Sequence, residues 1–137
     1  MYLISACLCG VNCKYSGGNN LNSKCVKLLN EGKALLVCPE QLGGLSTPRT
    51  PAEIKENKII TKDNIDVTVQ FNKGAREALM IAKQANITKA ILKEGSPSCG
   101  SKFIYDGTFT GKKIKGEGIT CKLLKKNGIN VISSDDI

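Results

Sequence analysis

The chain has 137 residues, with 20 Lys+Arg against 12 Asp+Glu for a formal charge of +8, and no histidine. That length lets one domain bury a core without metal or disulfide staples, so a cofactor here would serve chemistry more than folding. The missing imidazole excludes the commonest general base and the usual nitrogen ligand for zinc, leaving acid–base work to carboxylates, hydroxyls, lysines or thiols.

Tyr2-Leu3-Ile4-Ser5-Ala6 is a short apolar run ending at Cys7, and Ala34-Leu35-Leu36-Val37 is another ending at Cys38; both read as buried strands. Between them, Leu21, Cys25, Leu28 and Leu29 are spaced three or four apart over residues 19–30, which predicts a helix stopped at Gly32. Lys58-Ile59-Ile60-Thr61 and Asp66-Val67-Thr68 flank the turn-like Lys62-Asp63-Asn64 and suggest a short hairpin. Phe71, Ala75, Ala78, Leu79 and Ala82 share one face of a helix over residues 69–85. Ala90-Ile91-Leu92 then forms a strand that runs out into Glu94-Gly95-Ser96-Pro97-Ser98-Cys99. Residues 102–116, rich in Gly, Lys and Thr, are expected as a loop or hairpin over the site. A last helix over 118–126 stops at Gly128 and feeds the strand Asn130-Val131-Ile132-Ser133.

Strand and helix alternate, and parallel strands need crossovers that are usually helical. The expected fold is α/β, a single Rossmann-like three-layer domain over residues 1–137 with a mainly parallel sheet. No linker, repeat or low-complexity tract divides it.

No apolar run approaches the roughly 20 residues that span a bilayer, and Met1 leads straight into the first strand without a basic leader. A cytoplasmic protein with no membrane partner is expected. In that reducing compartment the 7 cysteines point to metal ligation or thiol chemistry rather than disulfides. The net positive charge favours anionic ligands, but the lysines are scattered, Lys112-Lys113-Ile114-Lys115 being the densest run. Few aromatics supply stacking platforms, so nucleic acid is not the expected partner.

Cys7, Cys38 and Cys99 each follow a predicted strand. In a parallel sheet those ends share the edge where α/β proteins bind ligands, so three distant thiols can meet around one cofactor. Soft thiolates select iron–sulfur clusters, zinc or copper(I), and a 4Fe-4S cube on three cysteines leaves one iron open. Cys25 and Cys121 fall on helix faces and read as small buried hydrophobes. Cys9 and Cys13 crowd Cys7 and suit either a fourth ligand or a sulfur-accepting thiol.

The neighbouring residues suit a substrate. Gly95-Ser96-Pro97-Ser98-Cys99-Gly100 offers two hydroxyls and backbone donors in a tight turn, able to cradle a cluster sulfide, a carbonyl oxygen or a phosphate. Glu40, in Cys38-Pro39-Glu40, is set to take or give a proton beside a cluster, or else to act as a surface carboxylate or cap. Arg49, between Pro48 and Pro51, can aim a guanidinium at an anion or form an ordinary ion pair. Gly43-Gly44 and Gly17-Gly18 permit close approach to a bulky cofactor.

Ser5-Ala6-Cys7-Leu8-Cys9-Gly10, Cys38-Pro39-Glu40 with Gly43-Gly44-Leu45 and Pro48-Arg49, Asp66-Val67-Thr68, Ser96-Pro97-Ser98-Cys99-Gly100 and Tyr105-Asp106-Gly107-Thr108-Phe109 follow one another along nearly the whole chain. Together they resemble the 2-thiouracil desulfurase (TudS) family, long catalogued as a domain of unknown function. The resemblance implies a 4Fe-4S cluster on Cys7, Cys38 and Cys99 whose free iron takes sulfur from 2-thiouracil, giving uracil and sulfide without net redox change. It assigns proton transfer or substrate orientation to Glu40 and Ser96, with Ser98, Arg49, Gly43, Gly44 and Gly100 around them. A cluster held this way is open to loss, or to replacement by another metal ion, in oxygen. Lys14-Tyr15-Ser16-Gly17 stands where the family usually has Arg-Tyr-Asp-Gly, a departure that bears on substrate more than on cluster. The implied partner is a small thiolated nucleobase. The other readings are a zinc- or cluster-binding module without catalysis, a persulfide carrier, and an enzyme of thiolated RNA.

Overall fold

A computed structural model describes residues 1–137. Its centre is a four-stranded sheet of β1 (Tyr2–Ser5), β2 (Ala34–Val37), β5 (Lys89–Leu92) and β8 (Asn130–Ser133), ordered β2-β1-β5-β8 with every pair parallel. Two antiparallel hairpins complete the strands, β3 (Ala52–Lys55) with β4 (Lys58–Thr61) and β6 (Phe103–Tyr105) with β7 (Lys113–Lys115). The helices are α1 (Ser23–Asn30), a short α2 (Pro39–Leu42), α3 (Thr68–Gln84) and α4 (Ile119–Lys126).

The continuous apolar strands have the reason expected of them: both faces of the sheet are covered. Leu3, Ala90 and Leu92 pack with Ala78 and Ala82 of α3 and with Cys121 and Leu124 of α4. Ile4 and Ile91, one residue out of step, pack the opposite way with Cys25 of α1 and with Ala6 and Leu8. Three layers result. Cys25 and Cys121 are fully buried, each on the inner face of its helix. No helix is long and apolar enough to cross a membrane.

Local chemistry sets the element ends. Asn22 caps α1, its side-chain oxygen accepting the N–H of Lys24 at 3.0 Å and of Cys25 at 3.2 Å. Cys38 is the N-cap of α2 and Pro39 its first residue, a position where the absent proline N–H costs nothing. Sequence periodicity gives no hint of this four-residue helix.

One expected pairing is corrected. β4 pairs backwards with β3 across Glu56-Asn57, both at positive φ (50° and 67°), the backbone of a two-residue hairpin turn. Of the expected partner segment, only Asp66 bridges to Ile60, while Thr68 opens α3 and accepts the N–H of Ile59 on its hydroxyl at 2.9 Å. Residues 102–116, expected as a loop or hairpin, form the β6–β7 hairpin.

Candidate functional site

The parallel register aligns Ser5 with Val37 and Leu92 with Ser133, so the strands end along one edge. Just past that edge Cys7 lies in the 3-10 turn Ala6–Cys9, Cys38 follows β2 directly, and Cys99 lies in the turn after β5. All three line a cavity of about 520 Å³. Glu40, Arg49, Ser96 and Cys13 line it as well, and Cys9 does not.

The thiols differ in surroundings. Cys7 is buried; burial pushes its thiol up, the Asn20 amide donating to its sulfur at 3.4 Å works against that, and the neighbouring Cys38 side chain adds to the rise. Burial also raises Cys99 strongly, against a lowering contact from the Ser5 hydroxyl and with repulsion from Glu40 and Cys7. Cys38 donates to the Cys13 carbonyl at 3.7 Å. Cys13 is pushed up to about 12, first by burial and then by the charge of Cys38. Burial thus disfavours the thiolate at Cys7, Cys13 and Cys99, the condition a bound metal reverses.

Arg49 ties three segments together. Its Nε donates to Glu40 Oε1 at 3.1 Å, Nη1 to the Ser46 carbonyl and Thr47 hydroxyl at 3.1 and 3.0 Å, and Nη2 to the Cys13 carbonyl at 2.9 Å. Its own N–H binds the Tyr15 carbonyl at 2.8 Å. The side chain is only 8% exposed, so the ion pair it forms with Glu40 is well shielded. The guanidinium takes one carboxylate oxygen of Glu40 and no protein donor takes the other.

Ser96 Oγ accepts the N–H of Ser98 at 3.0 Å and of Cys99 at 3.1 Å, which shapes the cysteine turn and leaves its own proton free to donate. Ser98 turns away: its hydroxyl is buried against Thr120 of α4 at 2.7 Å and lines no part of the cavity. Gly43 and Gly44 also stand outside it. At Gly43 a Cβ would strike the Gln70 carbonyl, and at Gly74 the Pro39 carbonyl, so this pair lets α2 lie directly on α3. Gly100 has the same role within the cysteine turn, where a Cβ would come within 2.6 Å of the Phe103 carbonyl.

Sequence reasoning gave Glu94 no role of its own. It is 3% exposed at the end of β5. Oε1 accepts backbone N–H groups of Ser101 and Lys102 at 2.9 Å and of Gly95 and Phe103 at 3.3 Å; Oε2 accepts the hydroxyls of Ser101 and Ser133. Burial alone would raise its pKa, but these donors outweigh burial and hold it at about 2. The carboxylate is the rivet of the Cys99 turn. A charged residue following an apolar strand toward the ligand edge was the available signal.

Fold and cavity define a class: a parallel α/β protein with free thiols, the Glu40–Arg49 ion pair and the Ser96 hydroxyl gathered at the carboxyl edge of its sheet. The family described as 2-thiouracil desulfurase matches residues 2–136, and the chain belongs to that family of enzymes. It is 48% identical over 147 aligned positions to the uncharacterized protein YbbK of Bacillus subtilis (strain 168), covering 100% of this chain and 97% of the relative. A solved structure described as the 4Fe-4S-dependent thiouracil desulfidase TudS superposes with a TM-score of 0.95 at 44% identity, covering 99% of this chain and 91% of the other.

Proposed function

We propose that this chain is an iron–sulfur-dependent desulfurase that removes sulfur from a small thiolated compound such as 2-thiouracil, giving the oxo product and sulfide. The observation that carries this reading is the meeting of Cys7, Cys38 and Cys99 on one ligand-sized cavity beside Glu40 and Ser96. All seven cysteines are free, as suits the reducing cytoplasm to which we assign the protein.

The donor set suits a cluster: Cys7, Cys38 and Cys99 offer soft thiolates, the ligands that hold iron–sulfur clusters, and the chain has no histidine to give zinc its usual nitrogen ligand. We read Cys7, Cys38 and Cys99 as the holders of a 4Fe-4S cluster, the cofactor named for the TudS neighbour. Bound there, the cluster would supply Lewis-acid chemistry toward the substrate's sulfur.

The remaining work falls to the chain. The Asn20 amide donates to Cys7 and favours its thiolate, as outer-layer donors do around metals. Glu40, its Oε1 held by Arg49, receives a proton from the attacking water on the free oxygen. Ser96, its lone pairs taken by two backbone N–H groups, donates its hydroxyl proton to the heteroatom edge of the ring. Water replaces sulfur at carbon and sulfide leaves, so no electrons are exchanged.

Anaerobic assay of reconstituted protein with 2-thiouracil tests this reading. Uracil and sulfide should appear in equal amounts; iron-loaded protein that forms neither contradicts it.

A further inference from the structure

The two hairpins meet beside the cavity through one carboxylate. Glu53 of β3 accepts the N–H of Gly107 at 3.0 Å and of Phe109 at 3.1 Å on the same oxygen. Gly107 lies flush on β3: a Cβ there would come 2.9 Å from the Ile54 carbonyl and 3.0 Å from Lys55 Cβ. Within the turn, Asp106 accepts the Thr108 N–H at 3.0 Å and its hydroxyl at 2.6 Å. These contacts hold Phe109 at φ 58°, a left-handed backbone that bulky side chains avoid. A large residue keeps such a conformation only where its surroundings over-determine it, and such positions concentrate at ligand sites.

Phe109, Tyr105 and Tyr15 line the cavity, half of the 3 Phe and 3 Tyr in a chain without tryptophan. Cysteines, Glu40 and Ser96 address the sulfur and the polar edge of a thiolated ring. Its flat faces call for an aromatic partner.

We propose that Phe109, with Tyr105 beside it, is the stacking face for the substrate ring, and that Glu53 is the positioning residue that latches this face over the cavity. The inference rests on the desulfurase reading and extends it to substrate recognition.

Phe109→Gly is the discriminating variant, because glycine suits the positive φ while removing the ring. Reconstituted Phe109→Gly should keep wild-type iron content, visible spectrum and melting temperature. Its KM for 2-thiouracil should rise about tenfold, the size of a lost base–aromatic stack, with kcat within about twofold. Uracil binding measured by calorimetry should weaken in parallel. Glu53→Ala should raise KM in the same sense, and Glu53→Gln, which keeps an oxygen for both N–H groups, should restore most of the affinity. An unchanged KM and unchanged uracil affinity in Phe109→Gly would overturn the stacking face while leaving the desulfurase reading intact. Wild-type protein that holds iron yet releases no sulfide would overturn that reading and the stacking face with it.

Discussion

The two sides of the cavity are built on different principles. The cysteine side hangs on the parallel sheet: its thiols sit at the ends of β1, β2 and β5, fixed by strand pairing and by the six donors that rivet Glu94. The hairpin side has no strand in that sheet: its two hairpins meet through Glu53, across two backbone N–H groups, and through the close fit of Gly107 on β3, and its tie to the sheet edge is the Phe103 N–H on Glu94. Rigid placement suits cofactor ligands, which must hold several bonds at once. A latched wall suits a substrate that comes and goes.

That contrast predicts that damage to the sheet edge removes iron, whereas damage to the hairpins spares iron and weakens substrate binding. Cys99→Ser should produce the largest effect, dropping iron well below four per chain and abolishing turnover with it; full iron content in this variant would break the contrast at once. Glu40→Gln comes next, lowering turnover by about 10²–10⁴-fold while iron content stays at the wild-type value; equal turnover would remove Glu40 from the mechanism.

Glu94→Ala tests the rivet. It strands buried donors and should cost about 3 kcal/mol by chemical denaturation. The folded pKa of Glu94, about 2, lies below the ordinary carboxylate value. Its stabilisation is therefore complete above about pH 5 and fades as pH falls toward 2. A denaturation series over that range should show a shallower acid loss in Glu94→Ala than in wild type. The smallest effect is expected from Cys13→Ser: iron content should not change, because the three strand-end thiols suffice as ligands. Lost iron would make Cys13 a fourth holder.

The sheet was legible because its strands are buried on both faces and read as unbroken apolar runs, and the helices α1 and α3 because Cys25, Leu28 and Leu29 in the one, and Phe71, Ala75, Ala78, Leu79 and Ala82 in the other, recur with helical spacing. The convergence of Cys7, Cys38 and Cys99 followed from topology alone. Other features depend on contacts that no periodicity encodes. The hairpin partner of β4 was misplaced because Glu56-Asn57 carries no glycine, while Lys62-Asp63-Asn64 looks more like a turn. Gly43 pointed to a cofactor because close approach was correctly sensed, but the approaching body is α3. Ser98 and Ser96 look alike in sequence; only the fold aims one at Thr120 and the other at the cysteine turn.

The central claim, that strand-end thiols of this chain hold a 4Fe-4S cluster, is tested most directly by iron and acid-labile sulfide counts with a visible spectrum on anaerobically reconstituted protein. Four irons and four sulfides per chain with broad visible absorption is the predicted result. A colourless protein that retains no iron under those conditions would contradict it.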